Sequence, residues 1–397
     1  MTSPMLRTAL VLGLLSAVSP FAIDMYLPAM PAIEEGLGTT VAGTQATITA
    51  YFLSFGLAQL IYGPLADRFG RKPPIYAGLG IFLVGTIFCA LAPDIRWLIA
   101  ARFVQGLGGA ALMVVPRAII RDLYTGAQGT KLMALIMLVI SVSPMLAPLV
   151  GSGVIAFGGW RAVFWVIAAA TLVSLTLLTV AQPETLAPEN RAPIRIASLA
   201  RGARTLLGDP TFMGLTFIGG LGISSFFVFL TSAPFVYTEQ FGLSPTGFSI
   251  AFAVNAIGFF AASQAAGFLG ERFGMARVIL WGATGFALFA SLLTLVALAG
   301  AATLAVVVGM LFLANACLGV VIPSTMVMAL DPHPTIAGLA SSLGGTLQMV
   351  AGAGAVTLAG PFFDGTALPM VAAIALCGIG GAAIAVMVVV PNGRASA

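Results

Sequence analysis

The chain has 397 residues, of which 59% are apolar, 8% are charged and 47 are glycine, with a mean hydropathy of +1.08. A soluble domain carries about 25% charged residues, so this composition cannot cover a water-facing surface and describes a membrane protein. Apolar stretches this long and numerous read as helices that satisfy their own backbone hydrogen bonds in lipid, which excludes a transmembrane barrel. The 17 Lys and Arg behind a net charge of +4 are scattered, so no nucleic-acid partner is expected.

Twelve apolar segments follow in chain order, over 8–32, 43–66, 74–92, 97–121, 132–156, 161–181, 211–237, 246–270, 276–298, 302–330, 335–360 and 368–390. Each is about 20 residues or more, the length that crosses a bilayer at 1.5 Å rise per residue. The first begins after Arg7 like a secretory signal, but its apolar run continues through Leu27 and eleven more follow, so it reads as a retained span. Cys89, Cys317 and Cys377 lie inside spans without paired spacing and read as packing residues. The single histidine, His333, sits in a short Asp-Pro-His-Pro loop, and no metal site is expected.

An even number of spans puts both ends on one side, and the basic residues choose it. Loops on the side of the termini hold Arg7, Arg68, Arg71, Lys72, Arg121, Lys131, Arg191, Arg195, Arg201, Arg204, Arg272, Arg277 and Arg394, against Arg96 and Arg161 opposite. That bias predicts cytoplasmic termini. The longest hydrophilic connection, 182–210, divides an N-terminal six-helix bundle (1–181) from a C-terminal one (211–397). The halves share a local sequence: Gly63-Pro-Leu-Ala-Asp67-Arg68-Phe69-Gly70 closes span two and Gly267-Phe-Leu-Gly-Glu271-Arg272-Phe273-Gly274 closes span eight. Identical Gly, Leu, Arg, Phe and Gly in one register, with Asp answered by Glu, indicate duplication. Two similar halves predict pseudo-symmetric bundles with a site between them.

Four motifs carry a family resemblance. GPLADRFGRKP resembles the loop signature between spans two and three of the major facilitator superfamily, and ARFVQGLGGA at 101–110 is similar to its Arg-containing fourth-span signature. SVSPMLAPLVGSG at 141–153 resembles the Pro/Gly signature of its drug antiporters, although Ala147-Pro148 stands where a Gly-Pro is often seen. IDMYLPAMP at 23–31 resembles the first span of the Bcr/CflA drug-resistance transporters. The resemblance covers essentially the whole chain. It implies an all-α polytopic fold of twelve transmembrane helices in two six-helix bundles, and drug:H⁺ antiport across a bacterial inner membrane.

Asp24 lies about eight residues before the far end of span one, roughly 12 Å deep. An acid at that depth must face a cavity or a partner; it either pins its helix or exchanges a proton, and the resemblance implies the latter. Arg102 shares the same half of the bilayer, either snorkelling to headgroups or, as the resemblance implies, assisting proton transfer. Gln105, Gly109, Met113 and Pro116 follow it at helical spacing on one face. Pro144, Pro148, Gly151 and Gly153 concentrate backbone exceptions in span five and predict a bend or close packing; the family reading is a seal against uncoupled leak. Gly63, Asp67, Arg68, Gly70 and Arg71, with Arg117 and Asp122 at the end of span four, form a candidate cytoplasmic gate. The resemblance implies that Asp67 meets another helix end and that Arg71 pairs with Asp122. Met275 stands where Arg71 would repeat, which predicts a weaker second latch.

Candidate cavity residues are Tyr26, Tyr51, Phe55, Gln59, Gln105 and Met113 from the first half, and Phe226, Asn255, Asn315 and Gln348 from the second. Aromatic rings and amides without clustered cations suit a neutral or amphiphilic molecule better than a phosphate. The expected partners are therefore the lipid bilayer, protons and a small drug, phenicol- or bicyclomycin-like by resemblance. The chain is expected to act as a monomer and without a cofactor, driven by the proton gradient. An exporter or importer of an endogenous metabolite is the alternative within transport. No nucleophilic set, metal-ligand spacing or nucleotide loop favours a membrane enzyme, and no appreciable soluble domain favours a receptor.

Overall fold

The computed structural model describes residues 3–395 apart from Thr125, Ala192 and Ile194. Helix starts are written locally: the side chains of Thr40, Asp94, Asp209 and Ser244 accept hydrogen bonds from the free N–H groups of Gly43, Trp97, Thr211 and Gly247 at 2.8–3.1 Å. The first span contains α1 (Ser3–Asp24), a 3₁₀ turn at Leu27–Ala29 and α2 (Met30–Leu37). It is broken immediately after Asp24, with Pro28 and Pro31 in the following turns. Next come α3 (Val41–Phe69), α4 (Lys72–Ala90), α5 (Ile95–Leu123) and α6 (Gly126–Ala181).

Eleven continuous apolar helical stretches occur among the described residues, and the one within α6, Lys131–Ala181, is 51 residues long. It supplies two spans, because Gly159 adopts φ +68° and ψ −178°, a conformation essentially restricted to glycine. Trp160 packs its indole on Gly36, and Arg161 donates to the Ala92 carbonyl at 2.8 Å, fixing the corner. The twelve spans and the helical fold expected from the sequence are both present.

The connection predicted as a hydrophilic linker contains a helix, α7 (Ile196–Leu207). Gly202 and Leu206 turn inward while Arg201 and Arg204 are exposed, a one-sided stripe at i, i+4 spacing that the surrounding arginines and prolines obscure in the sequence. After it come α8 (Pro210–Phe235), which ends in a π-turn at Val236–Gln240, then α9 (Pro245–Phe273), α10 (Met275–Leu298), α11 (Leu304–Leu330), α12 (Ala337–Ala359) and α13 (Ala367–Ala395).

The chain forms two compact units, Met1–Arg195 and Ile196–Ala397. Within the first, α5 packs on α3 and α4, and α6 packs on α1 and α4. Within the second, α11 packs on α9 and α10, α13 packs on α8 and α10, and α12 packs on α8. The second unit thus repeats the helix pairing of the first. Small residues permit these contacts: a methyl at Gly108 would run into the Gly78 carbonyl and the Phe82 nitrogen, and one at Gly319 into the Phe259 carbonyl.

Candidate functional site

Two clusters in the first unit carry most of the polar chemistry. The first surrounds Asp24, the last residue of α1, which is 5% exposed. Ser143 in α6 donates to its Oδ2 at 2.9 Å. One turn-pair further along the same helix, Gly151 lies against the Met25 backbone so closely that any Cβ would collide with it. The predicted close packing of the Pro/Gly segment is therefore directed at the residue beside Asp24. Gly151 and Pro148 are buried, Pro144 is half-buried and Gly153 is exposed. Ser143 escaped the sequence reading, although it stands inside the quoted SVSP run; a serine is too common in membrane helices to be singled out without its partner.

Arg102 does not snorkel: it is completely buried. Its Nη1 donates to Gln105 Oε1 at 2.6 Å and to the Ala22 carbonyl at 3.2 Å, and Gln105 in turn donates to Thr86 Oγ1 at 2.8 Å. The guanidinium therefore grips the helix that carries Asp24, yet among the described residues no Lys, Arg or His nitrogen lies within 4.0 Å of an Asp24 oxygen. Instead the rings of Tyr26 and Tyr51 each lie 4.6 Å from Arg102 Cζ. Both tyrosines are fully buried, so of the candidate cavity residues these two face the cation. Gln105 is also buried in this network, Phe55 stacks on Tyr51 at 6.1 Å, and Gln59 and Met113 are half-buried.

The second cluster joins the α3–α4 turn to the end of α5. Gly70 has φ +95°, which reverses the chain so that Arg71 faces back. Its Nη1 meets Asp67 Oδ1 at 2.6 Å, and its Nε and Nη2 meet both oxygens of Asp122 at 2.8 and 3.1 Å, a bidentate fork. The expected Arg71–Asp122 pairing is present, and Asp67 is held by the same arginine. Arg68 lies over Phe69 at 5.2 Å. Arg117 is half-buried, with Nε lacking a hydrogen-bond partner among the described residues, and Gly63 has open space where a side chain would go. The duplicated turn repeats the backbone, with Gly274 at φ +85° and Arg272 over Phe273 at 5.4 Å. Among the described residues it has no ion pair; Met275 folds onto Gly270 instead.

Glu184 was overlooked as a linker residue. Its carboxylate accepts from the backbone nitrogens of Arg71 and Lys72 at 2.8 and 3.0 Å, capping α4 from across the unit. Partial burial opposes its ionisation, but these donors and the N–H groups of Thr185 and Leu186 outweigh it and hold the carboxyl below its usual range. Thr185 completes the cluster by donating to Asp122 at 2.9 Å. Arg394 lies outside the residues whose side chains are described.

In the second unit Asn315 donates to Asn255 at 3.4 Å, Phe226 stacks on Phe259 at 6.4 Å, and Gln348 packs on Gly219. His333, read as an ordinary loop residue, contacts Asp209 at 2.8 Å and ties the α11–α12 loop to the start of α8.

The sequence matches the Major Facilitator Superfamily over residues 12–356. The chain belongs to that superfamily. This facilitator is a multi-pass membrane transporter, not an enzyme, and its partners are the bilayer and a small-molecule substrate. It is 33% identical to an uncharacterised MFS-type transporter, YdgK, of Bacillus subtilis (strain 168), over 92% of this chain and 91% of the relative. It is 32% identical to a bicyclomycin resistance protein homolog of Haemophilus influenzae, over 93% and 92% of the two chains. Among solved structures, a D-xylose–proton symporter superimposes with a TM-score of 0.76 at 16% identity, covering 96% of this chain and 97% of the other, a likeness of fold.

Proposed function

We propose that this facilitator exports small neutral or amphiphilic drugs in exchange for protons by alternating access. The observation that carries the reading is Asp24: a buried carboxyl at a helix break, hydrogen-bonded by Ser143 and, among the described residues, free of a cation within 4.0 Å. Such a group can exchange a proton without first breaking an ion pair. In the outward-open state Asp24 takes a proton and drug leaves; inward exposure releases the proton and admits drug. The gradient supplies direction, since each charge crossing the membrane potential is worth about 2.3 kcal/mol per 100 mV, and the scheme needs no cofactor.

The resistance named for the Haemophilus influenzae relative supports drug export, and bicyclomycin- and phenicol-like antibiotics are the substrate classes to try first. The Arg71–Asp67–Asp122 cluster would close the cytoplasmic side in one state and part in the other. In this reading both termini are cytoplasmic, the membrane is the bacterial inner membrane and the monomer is the working unit. Efflux from drug-loaded cells tests the scheme: Asp24→Asn is expected to abolish pH-gradient-driven export while protein in the membrane is unchanged. Undiminished export by that variant removes Asp24 from the mechanism.

A further inference from the structure

An arginine remains charged in a protein interior, and a buried charge is ordinarily paired with an opposite one. Arg102 is completely buried and, among the described residues, has no carboxylate within 4.0 Å. Among the described residues its Nε and Nη2 have no hydrogen-bond partner. Beyond the Nη1 bonds to Gln105 and the Ala22 carbonyl, it has two aromatic faces at 4.6 Å, Tyr26 and Tyr51. Each ring is locked at its far end: the Tyr26 hydroxyl bonds Thr47 Oγ1 and the Tyr51 hydroxyl bonds Ser19 Oγ, both at 2.7 Å. Each is also backed by a second ring, Phe164 behind Tyr26 and Phe55 on Tyr51. Gly106 and Gly109 bring α5 against α3 at Tyr51: a Cβ at the first would strike the Tyr51 carbonyl and one at the second the Tyr51 hydroxyl. The cage is therefore built by residues of α1, α3, α5 and α6 and of the turn after α1.

We propose that Tyr26 and Tyr51 are positioning residues whose ring faces serve as the counter-charge of Arg102, leaving the Asp24 carboxyl free to exchange its proton. The negative face of each ring quadrupole attracts the guanidinium, so the cation is held in the span without drawing Asp24 into a permanent pair. The titratable and charged groups facing this centre are Tyr26 beyond α1, Tyr51 from α3, Cys89 from α4 and Arg102 from α5, with the Ser143 hydroxyl from α6 on Asp24 itself. None is a second cation. Loss of a ring removes the neutral partner that holds the guanidinium and frees it to approach Asp24, two residues beyond the Ala22 carbonyl it already grips.

The proposal rests on proton coupling through Asp24, and the experiment separates the two. Purified protein in liposomes with an internal pH dye is challenged with chloramphenicol or bicyclomycin over a range of pH. Tyr26→Phe and Tyr51→Phe keep the ring and are expected to keep the wild-type pH midpoint of drug-triggered proton movement. Tyr26→Leu and Tyr51→Leu are expected to move it toward acid by up to about 1.5 units, the about 2 kcal/mol of a desolvated cation–π contact at 1.36 kcal/mol per unit. Fluorinated phenylalanines at position 51 keep shape while draining the ring face, and the midpoint should move toward acid with fluorine number. A purely structural role would change protein yield and leave the midpoint in place. An unmoved midpoint across the fluorinated series overturns the proposal; proton movement surviving in Asp24→Asn overturns the reading beneath it.

Discussion

At the scale of single residues, the first unit contains two arginines solved in opposite ways. Arg71 is matched by two carboxylates and hydrogen-bonded through three nitrogens, whereas Arg102 meets rings, an amide and a carbonyl. The first is held by opposite charges, the second by neutral groups. Arg71→Lys keeps the charge but not the fork that grips Asp122 and Asp67 together. Charge-assisted bonds are worth about 1.5–3 kcal/mol each, so transport is expected to fall about tenfold or more at normal membrane abundance, as measured by drug accumulation in cells. Ser143→Ala deletes the donor on Asp24 and is expected to lower proton-coupled efflux by a similar factor, with the thermal midpoint of the purified protein nearly unchanged. Both arginines stood out in the sequence as charges in or beside apolar runs. So did the carboxylates and the amide that meet them, Asp67, Asp122 and Gln105; Ser143 on Asp24, Thr86 on Gln105 and Glu184 on the α4 start did not, because they have ordinary residue types and become informative only when folding brings them over.

At the scale of helices, glycine decides where backbones meet and where they turn. Gly108 sits against backbone atoms of α4 that cannot move aside, so Gly108→Val is expected to cost more than the about 1–3 kcal/mol of ordinary overpacking and to abolish stable protein in detergent. Gly159→Ala strains the corner of α6 by about 1–3 kcal/mol and is expected to lower the thermal midpoint without changing substrate range. The Glu184 cap adds a pH dependence. Its carboxyl is held below the usual range in the folded protein, so its contribution is present above the unfolded carboxyl pKa near 4.3 and is lost as pH falls through the folded value. The thermal midpoint of Glu184→Gln should lie below wild type at neutral pH, and the two curves should converge in acid. Helix existence was legible from apolar length, and the α6 corner from the break between the segments 132–156 and 161–181, which contains Gly158 and Gly159. The break after Asp24 and the amphipathic α7 were not, since a proline-containing turn inside an apolar run and a short helix among arginines leave no change in hydropathy to detect.

At the scale of the whole molecule, the duplicated GxLxxRFG turn is the sequence trace of a deeper repeat: both units pair their helices alike, and both turns place a positive-φ glycine directly after an arginine-on-phenylalanine contact. Chemistry is divided unequally over this common frame. The first unit holds Asp24, Arg102 and the Arg71 cluster, while the second presents amides and stacked rings around Asn255, Asn315 and Phe226. The most direct test of this account is drug-triggered proton movement in liposomes holding the purified protein and an internal pH dye. Bicyclomycin or chloramphenicol added to the wild type should move protons opposite to drug, and the signal should vanish in Asp24→Asn. Drug transport with no proton movement in the wild type would contradict the account.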